Sequence, residues 1–227
     1  MRQRYFLKNN KIDDKLKFQL TKVLRCKTGD KMEFCFDNKC YLVSLIFNNK
    51  DITYEIVKEI KKEKSKYKID LLQGLPNKEK KLEFILKYNT LFGINNIYFL
   101  KFNRSVDLKI SKNRYDRYYE IVKEAAEINH RDSIPNFYFI DNLNEIKYKN
   151  YDLIILADEE EQNINLYDLF DKEYKNILII IGPEGGITDS ERKYFINEGT
   201  KKITLGKNIL TTESAALPIL SYIKLKK

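Results

Sequence analysis

The sequence predicts an α/β protein in two parts: a small basic β-barrel with one helix over residues 1–68, then a parallel sheet with helices on both faces over residues 69–227. Three observations carry this. From residue 69 onward, short apolar runs alternate with longer stretches of helical periodicity, the pattern of strands joined by crossover helices. Before residue 60 the apolar segments are short and separated by turn residues. The charge is also divided unequally. The chain of 227 residues carries +9, yet residues 1–70 hold 18 Lys+Arg against 10 Asp+Glu, and the remainder holds 24 against 23. A cationic end joined to a near-neutral body points to a polyanion partner, nucleic acid above all; a basic face that merely keeps the protein soluble is the alternative.

In chain order, Tyr5–Leu7, Lys31–Phe36, Lys39–Phe47 and Asp51–Ile60 read as strands. Asp37-Asn38 and Asn48-Asn49 are hairpin turns between them. Asp13–Leu24 reads as a helix with Leu16, Leu20, Val23 and Leu24 on one face. Lys22, Arg25, Lys27 and Lys31 surround the turn at Gly29 and are candidates for contact with a nucleic-acid backbone, or for a solvated face. The charged stretch Lys58–Lys68 marks the domain boundary.

The second part opens with strand Ile69–Gly74, stopped by Pro76. A helix over Lys78–Phe92 closes at Gly93. Asn96–Leu100 is a strand, Arg114–Ile128 a helix, and Phe137–Ile140 and Tyr151–Leu156 are strands. Leu178–Ile181 is apolar throughout and reads as a strand buried on both faces. It runs into Gly182-Pro183-Glu184-Gly185-Gly186, after which Thr188 and Glu191 stand at capping-box spacing, so a helix starts there. Strand, glycine loop and capped helix form a ligand-holding arrangement at a sheet end. The loop lacks the Gly-Lys-Ser/Thr of a phosphate cradle and places Glu184 in its middle. It therefore suits a neutral or cationic ligand held by backbone groups, or else it is a tight structural turn. Strand Lys202–Leu205 ends in Gly206 and leads to a helix from about Thr212. Two successive strands thus end in a glycine, and as neighbours in a parallel sheet their loops form one pocket, walled by Leu205, Ile209 and Leu210.

No run approaches a membrane span. Cys26, Cys35 and Cys40 show no CxxC spacing, and with a single histidine they suggest reduced thiols, no metal site and a cytoplasmic protein.

The pair IGPEGGITDSE and LGKNILTTESAAL resembles the signature of the RsmE family, methyltransferases of the SPOUT class. KVLRCKTGD, KLEFILKYNTLFGI, NRSV and EAAEINHR resemble further blocks of that family, so the likeness runs nearly end to end. The resemblance implies a PUA-like barrel, a trefoil-knotted α/β domain and a homodimer. It implies S-adenosyl-L-methionine as cofactor and N3 of a uridine in 16S ribosomal RNA as target, within free RNA or the assembled small subunit. By position it places the cofactor against Leu156, Gly182, Gly185, Leu205, Gly206, Ile209 and Leu210. Another target atom, or a binding protein with weak turnover, are the alternatives.

Two departures stand out. Thr211 replaces the family's arginine, and Ile128 replaces its glutamine; if that arginine holds the uridine or the cofactor, this protein is slower, altered in target, or compensated by Arg131, Arg104 or Lys207. Pro218 predicts a kink, or a helix that starts nearer Leu217. Methyl transfer to uracil N3 needs a proton acceptor, for which Glu184 or Glu213 qualify, and cations for the uracil oxygen, for which Arg104 and Arg131 qualify. Glu213 is also explained as a carboxylate at a helix N-terminus. Arg104 and Arg131 are also explained as surface ion pairs, and His130 as a bystander.

Overall fold

Gly93, Gly186 and Gly206 all carry positive φ and each follows a helix or strand of the larger of two units, so the glycines punctuate the β/α alternation. The computed structural model describes residues 3–48, 51–61, 65–106, 110–170 and 173–225. The chain divides into Met1–Lys64 with Lys123–Ile134, and Ser65–Val122 with Pro135–Lys227.

The first unit holds β1 (Arg4–Phe6), α1 (Asp14–Phe18), β2 (Lys31–Phe36), β3 (Lys39–Asn48) and β4 (Asp51–Glu59). The strands form one sheet in the order β1-β2-β3-β4, parallel between β1 and β2 and antiparallel elsewhere. Asp37 and Asn38 both have positive φ, the backbone of a two-residue hairpin turn whose twist matches the strands. The second expected turn, at Asn48-Asn49, falls partly outside the described residues, as does the charged linker. The expected helix over 13–24 is instead one α-helical turn and a half followed by a π-helical segment, Gln19–Val23. Asp13 caps α1 by accepting from Leu16 N–H. Leu16 and Leu20 reach the core of Tyr5, Phe34, Val43 and Leu45.

The expectation of three free thiols is corrected here. The β2–β3 register sets Cys35 opposite Cys40, both are buried, and they form a disulfide; Cys26 is the free cysteine among the described residues. Counting cysteines ignored what the hairpin register brings face to face. Residues 123–134 complete this unit. Arg4, buried, donates to the carbonyls of His130 and Arg131 and pairs with Glu33 at 2.8 Å and Asp132 at 2.9 Å.

The second unit follows β5 (Lys68–Gly74), α2 (Glu79–Leu91), β6 (Asn96–Leu100), α3 (Lys112–Ile128), β7 (Asn136–Ile140), β8 (Leu153–Ala157), β9 (Asn176–Ile181), α4 (Asp189–Asn197), β10 (Lys201–Ile203) and α5 (Ala216–Leu225); the last residues of α3 are counted with the first unit. The six strands are all parallel, in the order β10-β8-β9-β5-β6-β7. Ile177 to Ile180 of β9 are fully buried, as both faces of a helix-covered parallel strand must be. The capping box forms: Thr188 Oγ1 accepts from Glu191 N–H, and Glu191 accepts from Thr188 N–H at 2.8 Å.

Two expectations change. Strands β9 and β10 are not neighbours, because β8 lies between them. The last helix begins at Ala216, after a turn over 212–215. Pro218 therefore sits in the first turn of α5, where a missing N–H leaves no intrahelical bond unmade, and no kink is required.

Candidate cofactor cleft

A cleft of about 370 Å³ opens where the carboxyl ends of β8, β9 and β10 meet their loops. This is the rim of a parallel sheet at which ligands bind. Its wall includes Gly182, Pro183, Glu184 and Gly186 from the loop after β9, and the whole segment Thr204–Thr212 after β10. The two glycine loops thus share one cavity, although β8 separates their strands. The intervening strand adds Ala157, Asp158 and Glu159.

The loops are held by specific bonds. Thr212 donates its hydroxyl proton to Gly182 O and accepts from Gln73 Nε2 at 2.9 Å. Gln73 is fully buried in β5, so this contact fastens the segment after β10 to the middle of the sheet. Gly185 has no room for a side chain, since a Cβ there would lie 2.7 Å from Arg104 O and 2.9 Å from Arg104 Cβ. Gly206 has φ +101, a conformation that a side chain strains.

Lys81 of α2, unmarked in the sequence, bridges both loops. Its Nζ lies 3.1 Å from Glu184 Oε1 and 3.3 Å from Glu213 Oε2. Burial disfavours the charged amine, but the two carboxylates outweigh it and raise the Lys81 pKa. A raised lysine pKa adds stability that is present below the ordinary lysine range and lost only as pH rises through the folded value. At pH 7 the contribution is complete. The groups are about a quarter exposed, so Lys81→Met is expected to cost about 1–2 kcal/mol, between surface and buried pairs, and Lys81→Arg to restore part of it. Urea unfolding at pH 7 measures this; equal midpoints for wild type and Lys81→Met would reject the bridge.

Arg192 of α4 also lines the cleft. Its Nε is 3.0 Å from buried Asp158, and its Nη1 is 2.9 Å from Glu160 and 3.1 Å from Asp189. The loop after β8 is thereby fixed to the start of α4.

The residues singled out in the sequence distribute as follows. Gly182, Leu205, Gly206, Ile209 and Leu210 line the cleft. Leu156 is buried in the core beneath it, and Ala157 takes the lining position. Gly185 lies within the loop, packed on Arg104. Arg104 is exposed and donates from Nη1 to Gly185 O at 3.3 Å. Arg131 belongs to the first unit, where burial lowers its pKa to about 10. Glu184 accepts from Asn77 N–H and Lys81. Glu213 lies in the turn before α5 rather than in the helix. Among the carboxylates lining the cleft, Glu159 alone makes no ion pair or hydrogen bond to the described residues. Lys22, Arg25, Lys27 and Lys31 are exposed on the first unit. Lys81, Arg192 and Glu159 escaped the sequence reading because their partners or their place in the cleft are set by residues far away in the chain.

The cleft suits a nucleoside. Ile209, 85% exposed, and Leu210 offer apolar surface. Among the described residues, the one hydrogen bond of the 205–210 backbone runs from Gly206 N–H to Thr204 Oγ1, which leaves the other peptide groups for a ligand's ring edge. In the lining Glu184 and Asp158 are paired with Lys81 and Arg192, which leaves the Glu159 carboxylate for a positive charge, and there is no Gly-Lys-Ser/Thr phosphate cradle.

A family model described as an RNA methyltransferase domain matches residues 62–224. The protein named Ribosomal RNA small subunit methyltransferase E from Bacillus subtilis is 30% identical over 248 aligned positions, covering 97% of this chain and 95% of that protein. Its namesake from Mesomycoplasma hyopneumoniae is 31% identical and covers 82% of each. The crystal structure of a Ribosomal RNA small subunit methyltransferase E from Neisseria gonorrhoeae bound to S-adenosyl methionine shares the fold, with a TM-score of 0.82, 22% identity, and 99% and 98% of the two chains covered.

Proposed function

Since the chain belongs to the RNA methyltransferase domain family, we propose that it methylates N3 of a uridine in the 16S RNA of the small ribosomal subunit, with S-adenosyl-L-methionine bound in the cleft at the ends of β8, β9 and β10. The observation that carries this is the convergence of the two glycine loops on one cavity of mixed apolar and charged lining, with peptide groups left unpaired. Gly182, Leu205, Gly206, Ile209 and Leu210 would hold the nucleoside, with Gly185 supporting the loop and Leu156 the floor. The cofactor, when bound, supplies an electrophilic methyl group on a sulfonium centre.

The protein's own work is to position N3, to accept its proton and to stabilise the uracil oxygens. Arg104, bonded to Gly185 O, is proposed to stabilise a uracil oxygen. Arg131 is proposed for the same role or for phosphate. Glu184, engaged by Asn77 and Lys81, serves as a positioning residue, and the free carboxylate of Glu159 is the better proton acceptor. Lys22, Arg25, Lys27 and Lys31 bind RNA phosphates. The PUA-like barrel, the trefoil knot, the homodimer and a cytoplasmic site of action belong to the same proposal. The return of Thr212 to Gly182 and Gln73 after edge strand β10 supports a threaded chain end. With Cys35 and Cys40 joined, the cytoplasmic assignment rests on the ribosomal substrate rather than on free thiols. No helix among the described residues is long and apolar enough to cross a membrane.

The test is nucleoside mass spectrometry of deproteinised 16S RNA and of small subunits after incubation with the protein and S-adenosyl-L-methionine. N3-methyluridine is expected, and Glu159→Gln, at a residue that lines the cleft, is expected to lower turnover by more than it weakens cofactor binding. Methylation of another atom would redirect the target. Cofactor binding with no methylated nucleoside would favour a binding protein. That second reading draws on Thr211, whose hydroxyl bonds to Ser214 Oγ at 3.0 Å and supplies no cation.

A further inference from the structure

The first unit exposes an aromatic ring among its free cations. Phe18 and Val23 are each 62% exposed, on a segment whose opposite side, Leu16 and Leu20, is buried in the core. The segment is underwound: Leu24 N–H donates to Gln19 O, five residues back, at 2.9 Å. This wider turn sets residues four and five apart on one side, so Phe18, Lys22 and Val23 share a face. Arg25, with φ +53, and Lys27 follow at once, and Lys31 starts β2 beyond the Gly29 turn.

The charges around this face are sorted. Lys17 is 2.9 Å from Asp51 and 3.8 Å from Asp14, and Lys15 is 3.6 Å from Glu124. Asp30 accepts from the Lys27 backbone. Lys22, Arg25, Lys27 and Lys31 form no ion pair among the described residues. The Phe18 ring likewise contacts no other ring there. A bare aromatic beside unpaired cations is the arrangement that receives a flexible strand, phosphates on the cations and an unstacked base on the ring. A duplex has no free base face to offer.

We propose that Phe18, flanked by Val23 and Lys22, is a stacking platform for an unpaired base of the RNA, so that the first unit selects single-stranded over paired RNA. This rests on the reading of the protein as an RNA-binding methyltransferase, and adds to phosphate contact a recognition of strand state.

The test uses the full chain and an oligoribonucleotide carrying 2-aminopurine, single-stranded or annealed to its complement. Wild type is expected to quench the single strand and to bind it more tightly than the duplex. Phe18→Ala is expected to lose the quenching and roughly tenfold in single-strand affinity, with an unchanged salt slope; Phe18→Trp keeps both. Lys22→Gln with Arg25→Gln is expected to flatten the slope by about 1.4. Quenching or affinity unaltered in Phe18→Ala, an equal loss for the duplex, or an altered oligomeric state with RNA affinity intact each overturn the platform. Methyl transfer is assayed in parallel. Transfer by a protein whose Phe18→Ala variant binds normally leaves the enzyme reading standing without the platform. Quenching without transfer does the reverse.

Discussion

Gly185→Val is expected to abolish measurable binding of S-adenosyl-L-methionine in calorimetry while leaving a folded protein. A first side-chain carbon at this position would stand 2.7 Å from a backbone oxygen, that of Arg104, and so could not be relieved by a rotamer change. The loop after β9 or the loop after β6 must move. Arg104 is itself bonded to Gly185 O, so the strain is expected to fall on Pro183–Gly186, whose turn closes through Gly186 N–H to Pro183 O at 3.0 Å and forms one wall of the cleft. Overpacking of this kind costs about 1–3 kcal/mol in stability, and a wall displaced by about 1 Å removes the fit on which affinity depends. Gly185→Ala should show the same direction with a smaller loss. Arg104→Ala removes the bond to Gly185 O but not the crowding oxygen, so the double variant Gly185→Val, Arg104→Ala should stay defective. Wild-type affinity in Gly185→Val, with circular dichroism unchanged, would remove this loop from the binding site.

Arg192→Leu is expected to be the most destabilising single change at the cleft, by about 3–5 kcal/mol, because it leaves the buried Asp158 carboxylate without its close partner. Lys202, 3.9 Å away, cannot replace a guanidinium at 3.0 Å. Burial opposes the charged Arg192, yet Asp158 outweighs it and raises the Arg192 pKa. The guanidinium therefore stays charged at any pH in which the protein is handled, and the loss should be independent of pH near neutrality. Paired replacement, Asp158→Leu with Arg192→Leu, should recover much of the stability, since removing both charges leaves neither buried alone. Urea unfolding of the two single variants and the double variant measures the coupling. An Arg192→Leu midpoint within error of wild type would show that Asp158 is stable by itself.

Much of the second unit was legible because its signals are local. Thr188 and Glu191 announce α4 from three residues apart, and β9 shows as an unbroken apolar run. The first unit was read less well around residues 13–24, where a helical pattern gave no sign that one extra residue per turn would bring Phe18 and Val23 to the same side. The cysteines misled for a related reason: pairing depends on the strand register, which is fixed by the turn at Asp37-Asn38 and not by the count.

By itself the sequence determined most strands and helices of the second unit, which strands end in glycine, and that the positive charge gathers in the first third, since periodicity, capping and composition are properties of neighbouring residues. Only the tertiary structure decided that β8 would enter between β9 and β10, that Thr212 would return to Gly182, and that Lys81 and Arg192 would bind the loops around the cleft. Those choices depend on how crossover helices cover the faces of a sheet and on which charges meet when they do. Residues as distant as Gln73 and Thr212 carry no local mark of that meeting.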